Sequence, residues 1–242
     1  MASFKSYLKE LKLTLEYHKD LNPKLWDDGK LKPEVRKTLL EFGYTWAKFA
    51  KIPRELIQDV IMTGGNANYN YTPYSDIDVH LMIDKSKLKI ATTPEMTEEW
   101  LKNKKFLWLL THKVKVHGYE LEPYAQEPTD QYPEEQGIYS LIRDTWIQKP
   151  EYKEHKFDDD PQLGRKVEFY MHMVDDMINN KASAAEFSAL KTKFKDMRTA
   201  GIQKGGEYSF ENLIFKELRN RGYLDKMNDY TASSKDKQLG LD

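Results

Sequence analysis

Asp76 and Asp78 stand two residues apart in the stretch SDIDVHLMID, where residue type alternates. Side chains of an extended strand point to opposite faces in turn, so Ile77, Val79, Leu81 and Ile83 share one face while Asp76, Asp78, His80, Met82 and Asp84 share the other. One face is predicted to be core. The other would hold two carboxylates side by side on a rigid backbone, and hard oxygen donors so placed suit a divalent cation, Mg2+ or in its stead Mn2+. Upstream, the β-branched run IQDVIMT (57–63) ends at Gly64-Gly65. A glycine pair lets phosphate approach the backbone closely, and a helical turn just after it would turn N–H groups toward negative oxygens. A cation site beside a phosphate site is what in-line transfer at phosphorus requires, because charge builds on phosphate oxygens and on the leaving group.

The flanking elements are read from periodicity. Residues 3–19 read as an amphipathic helix with Phe4, Leu8, Leu11 and Leu15 on one side. A second helix opens at Pro33 and carries the stripe Val35, Leu39, Phe42, Trp46 and Phe49. A strand over 57–63, the acid-bearing strand, a helix over 97–111, a strand pair around the His117-Gly118 turn and a hairpin over 138–147 follow. The charged segment KPEYKEHKFDDDPQLG then separates this mixed half from three helical patterns, about 161–179, 183–199 and 209–221. The expected architecture is α+β: a mixed β-sheet flanked by helices over 1–152, an all-helical region over 153–230, and a loose polar tail over 231–242.

Met62, Gly64, Gly65, Ile77 and Val79, with ten residues between the glycine pair and Asp76, resemble the signature of the DNA polymerase beta-like nucleotidyltransferase superfamily. The resemblance covers roughly residues 55–126. It implies a nucleotidyltransferase-type sheet, a nucleoside triphosphate substrate (ATP before others), Mg2+, and a third carboxylate on a later strand. Glu120 and Glu122 in YELEPYAQ are the candidates. Glu122 is preferred, since Leu121 before it is directed to the core and Glu120 lies nearer the turn. Asp76, Asp78 and Glu122 are thus the expected catalytic and metal residues, Glu122 with a possible role as base. Gly64, Gly65, Asn66 and Ser75 are the expected substrate contacts. The acceptor, a hydroxyl or phosphate of a small molecule, a protein or a tRNA end, is not specified by these motifs. Two other readings are a catalytically inactive nucleotide-binding or interaction protein that retains the fold, and pyrophosphoryl transfer to a guanosine nucleotide.

Composition narrows the classes further. Lys+Arg (38) and Asp+Glu (39) nearly cancel, so the chain has no global field for long nucleic acids. The run Lys102, Lys104, Lys105, Lys113 and Lys115 reads as a solvated face. There is no cysteine, which removes thiolate metal sites and cysteine nucleophiles. No membrane span or signal segment is read, and a cytoplasmic protein is expected. Asp158-Asp159-Asp160-Pro161 is read as a helix cap, Gly205-Gly206 as a turn between helices, and Tyr69, Tyr71 and Tyr74 as packing residues before base-stacking ones.

Overall fold

A computed structural model describes residues 11–153, 160–238 and 240. The chain divides into two compact units, one spanning Glu16–His155 and the other combining Met1–Leu15 with Lys156–Asp242.

The first unit is built on a mixed six-stranded sheet of order β5-β6-β4-β3-β7-β8, with β3 at Ile57–Thr63, β4 at Ile77–Ile83, β5 at Lys115–Val116, β6 at Tyr119–Gln126, β7 at Ile138–Ser140 and β8 at Thr145–Gln148. β4 lies inside the sheet, antiparallel to β3 and parallel to β6. Its alternation is realised: Ile77, Val79, Leu81 and Ile83 are all buried. Helix α1 (Pro33–Ala50) covers that face, starting at a proline whose missing N–H costs nothing in a first turn. Gly43 lets it sit close. A Cβ there would lie 3.1 Å from Val60 Cγ1 and 3.4 Å from Leu81 Cδ2. Helix α2 (Pro94–Thr111), capped by the Thr93 side chain, adds Leu101 and Trp108 to the same core.

The opposite face of β4 is polar over only part of its length. Met82, expected beside the acids, is instead buried with Ile61 and Ile138, with Tyr132 packed against them. Asp84 leaves the face to cap a short turn at Lys85–Lys87. The acidic surface is thereby confined to the start of the strand.

A hairpin of β1 (Trp26–Asp27) and β2 (Lys30–Leu31) adds an element that the periodicity does not mark. Its Asp28-Gly29 turn has φ of 44° and 72°, as a two-residue hairpin turn needs.

The second unit contains α3 (Pro161–Asn179), α4 (Ala184–Gly205), α5 (Phe210–Asn220) and α6 (Tyr223–Gln238) around Val167, Val174, Phe187, Phe194, Ile214, Leu218 and Met227. Asp160 caps α3 by accepting from Gln162 N at 2.9 Å. Asp158 and Asp159 lie outside the described residues. Gly206, φ +70°, forms the expected turn after α4. Two expectations are corrected. Residues 231–238, expected to be loose, continue α6, where Thr231 Oγ1 bonds back to Met227 O at 2.7 Å. The helix expected over 3–19 is also absent from its described part, since residues 11–18 are irregular and 3–10 lie outside the described residues.

The reason is Glu217. This side chain of α5 is fully buried, and its Oε1 accepts from Thr14 N (2.5 Å), Thr14 Oγ1 (2.8 Å) and Leu15 N (3.0 Å) while Oε2 accepts from Arg221 Nε (2.8 Å). Backbone donors that a helix would use internally are drawn to a carboxylate. Leu11, Leu13 and Leu15 pack against the helical core at every second residue, a period of two and not 3.6. This segment therefore groups with the helices, not with the expected 1–152 domain.

Candidate metal centre

Thr63, Asp78 and Glu122 form a transverse row across three strands, since Thr63 pairs with Asp78 and Asp78 with Glu122. Register partners project to the same side of a sheet, and Asp76 precedes β4 by one residue. Carboxylate oxygens of Asp76, Asp78 and Glu122 all lie within 4.8 Å of one another. Among the described residues this is one group of His, Asp or Glu able to hold a metal ion, and all three members are partly exposed. Three hard, anionic oxygen donors match Mg2+ or Mn2+ and not a soft metal. The donor set fits the expected cation.

Glu120 is set apart. It pairs with Lys115 at 3.1 Å on the rim, where both side chains are more than half exposed. Glu122 is bound differently: its Oε2 accepts from Lys105 Nζ at 2.8 Å and from Tyr124 Oη at 3.0 Å. The Lys105 ammonium also lies 3.2 Å from the Tyr124 ring centroid. Burial raises the Tyr124 pKa, with Asp78 and Glu122 adding to it, so the phenol stays a donor. His80, next on the acidic face, has its ring 4.4 Å from Tyr124 and Nδ1 2.5 Å from Gln126 Oε1. Burial pushes it down to about 4 despite the Gln126 bond, Lys105 contributing, so the imidazole is neutral near pH 7.

Gly64 is explained by Asp78. Its φ is +79°, and a Cβ would stand 1.9 Å from Asp78 Oδ2. The glycine admits the carboxylate against the backbone. Gly65 opens a single 3-10 turn (Gly65–Ala67), shorter than the helical turn expected, and its Cα faces Ser75, whose Oγ would be 3.3 Å from an added Cβ. Ser75 Oγ also accepts from Thr72 N at 3.0 Å, which closes a tight turn just before β4.

The side chain of Asn66 is turned into the loop. It is fully buried, its Nδ2 donating to Asp76 O at 2.8 Å and its Oδ1 accepting from Asn22 Nδ2 at 2.8 Å. Both ends of the amide are engaged in holding the loop, which makes the Asn66 side chain a brace for Asp76. Trp26 Nε1 donates to Asn66 O at 2.8 Å. On the other side, Gly137 N donates to Asn68 Oδ1 at 3.0 Å, and a Cβ on Gly137 would meet Ala67 O at 1.9 Å. Asn22, Trp26, Lys105, Tyr124 and Gly137 are supports that the spacing of motifs does not reveal. The signal for the first two was the Asp28-Gly29 turn, which predicts a hairpin and hence a folded 22–31 segment.

Two of the three tyrosines pack as expected, Tyr71 stacking on His18 with centroids 3.9 Å apart and Tyr69 contacting Tyr17 and Tyr152, whereas Tyr74 is exposed and departs from that expectation. The basic run does not act as one patch, because Lys104 lies over Phe49 and Trp100, Lys105 turns to Glu122 and Lys115 to Glu120. No described helix is long and apolar enough to cross a membrane.

No protein-family model matches the chain, and no curated protein does. Among solved structures, the STING-associated CdnE c-di-GMP synthase from Capnocytophaga granulosa is similar at 13% identity over 86% of this chain and 84% of that one, with a TM-score of 0.21, a likeness too slight to bear on fold or activity.

Proposed function

We propose that the protein is a metal-dependent nucleotidyltransferase with a nucleotidyltransferase-type sheet, transferring a nucleoside monophosphate from a nucleoside triphosphate, ATP first, to a hydroxyl or phosphate of an acceptor. The observation that carries this reading is the convergence of Asp76, Asp78 and Glu122 within 4.8 Å beside the Gly64-Gly65 turn. Asp76, Asp78 and Glu122 hold the divalent cation, which when bound offsets charge on the phosphate oxygens and the leaving pyrophosphate. Gly64 and Gly65 give the triphosphate a backbone surface with no side chain in the way, and Ser75 presents its hydroxyl beside Gly65. A bond forms between the acceptor oxygen and the α-phosphorus, the α–β phosphoanhydride bond breaks, and the proton of an acceptor hydroxyl passes to a carboxylate of the group. What supports a preformed site is strand pairing, which holds Asp78 opposite Glu122 in the sheet.

The test is incubation of the purified protein with each α-labelled nucleoside triphosphate, Mg2+ or Mn2+, and fractions of cell extract containing small molecules, protein or RNA. Label should move into one fraction and stay behind with the Asp76→Ala/Asp78→Ala protein. Label that never moves, or moves equally with the double variant, overturns the reading. Nucleotide binding without transfer would favour a non-catalytic nucleotide-binding protein.

A further inference from the structure

Lys105 is the lysine of its run that stands against Glu122. Its side chain is 22% exposed and that of Glu122 28%, whereas the Lys115–Glu120 pair is more than half exposed on both sides. The ammonium is held from two directions, by Glu122 Oε2 at 2.8 Å and by the face of Tyr124, whose hydroxyl bonds the same oxygen. A cation in this place stands against one of the three carboxylates that a metal would need. Two cations sharing a carboxylate repel strongly where solvent screening is partial.

We propose that Lys105 is a tethered counter-ion of the metal centre, competing with divalent cations for Glu122 and keeping metal affinity low until a triphosphate supplies further negative charge. This rests on the metal-centre reading above. Three carboxylates facing one another without a cation would repel, so the ammonium also lowers the cost of assembling the site before substrate binds. Metal and triphosphate then bind with positive coupling, since each neutralises charge that opposes the other.

The proposal is tested by titrating the full chain with Mn2+, following unbound Mn2+ by electron paramagnetic resonance, with and without a non-hydrolysable ATP analogue. Lys105→Gln should tighten nucleotide-free Mn2+ binding by about tenfold or more. Lys105→Arg, which keeps the charge, should stay near wild type, and Tyr124→Phe, which removes only a hydrogen bond, should not tighten binding. With the analogue present the gain of Lys105→Gln should shrink. Unchanged or weaker Mn2+ binding in a folded Lys105→Gln protein overturns the proposal, as does tightening in Tyr124→Phe equal to that in Lys105→Gln. Failure of the metal centre itself has another signature: Asp78→Asn and Glu122→Gln would then bind Mn2+ as wild type does.

Discussion

Two glutamates, one in each unit, differ in how their carboxylates are held. Glu217 is fully buried and meets donors on both oxygens: Thr14 and Leu15 on one, Arg221 on the other. Burial of a charge is tolerated only when partners replace the lost water, and here they do. Glu122 is partly exposed, and although Lys105 and Tyr124 bond it, it also faces Asp76 and Asp78. Under the proposed function, this gathering of carboxylates serves a divalent cation.

The comparison can be broken at either end. The largest effect is expected from Asp78→Asn, which should lower label transfer by on the order of 10³-fold while leaving thermal melting near that of the wild type. A fall in stability equal to the fall in transfer would make Asp78 structural. Glu217→Ala should do the reverse, costing about 3–5 kcal/mol in urea unfolding by leaving Arg221 and the Thr14 and Leu15 amides without their acceptor. Should its cost match that of Glu122→Gln, expected within about 1 kcal/mol, the contrast collapses. Gly64→Ala comes next, since its Cβ must displace Asp78 from a backbone at φ +79°. A loss of about 1–3 kcal/mol in stability is expected, with transfer falling further than that of a surface variant. The smallest effect is that of Trp26→Phe, which removes the indole bond to Asn66 O and should cost about 1 kcal/mol by denaturation with a few-fold loss of transfer.

The acid strand and its glycines were legible because their signals are local. Period-two alternation places Ile77, Val79, Leu81 and Ile83 in the core, and the same alternation throws Asp76 and Asp78 to the other face. Glu122 could be preferred over Glu120 on its neighbours, but the parallel register that sets it opposite Asp78 is a fact of tertiary structure. The partners of Asn66 were out of reach for a related reason: its amide bonds Asp76 O and Asn22, and Asn22 lies 44 residues upstream. Met82 satisfied the alternation yet met Ile61 and Ile138, contacts that a strand pattern cannot foresee. The N-terminal segment failed most plainly. Leu11 and Leu15 fit a helical spacing, but Leu13 fits an extended one equally well, and a buried acceptor two hundred residues away decided between them.

The most direct test is crystallographic: crystals soaked with Mn2+ and a non-hydrolysable ATP analogue, with anomalous scattering used to locate the metal. Manganese is expected about 2.0–2.2 Å from carboxylate oxygens of Asp76, Asp78 and Glu122, with the triphosphate against Gly64 and Gly65. Manganese bound elsewhere, or a nucleotide seated away from this turn, would contradict a nucleotidyltransferase centre at the start of β4.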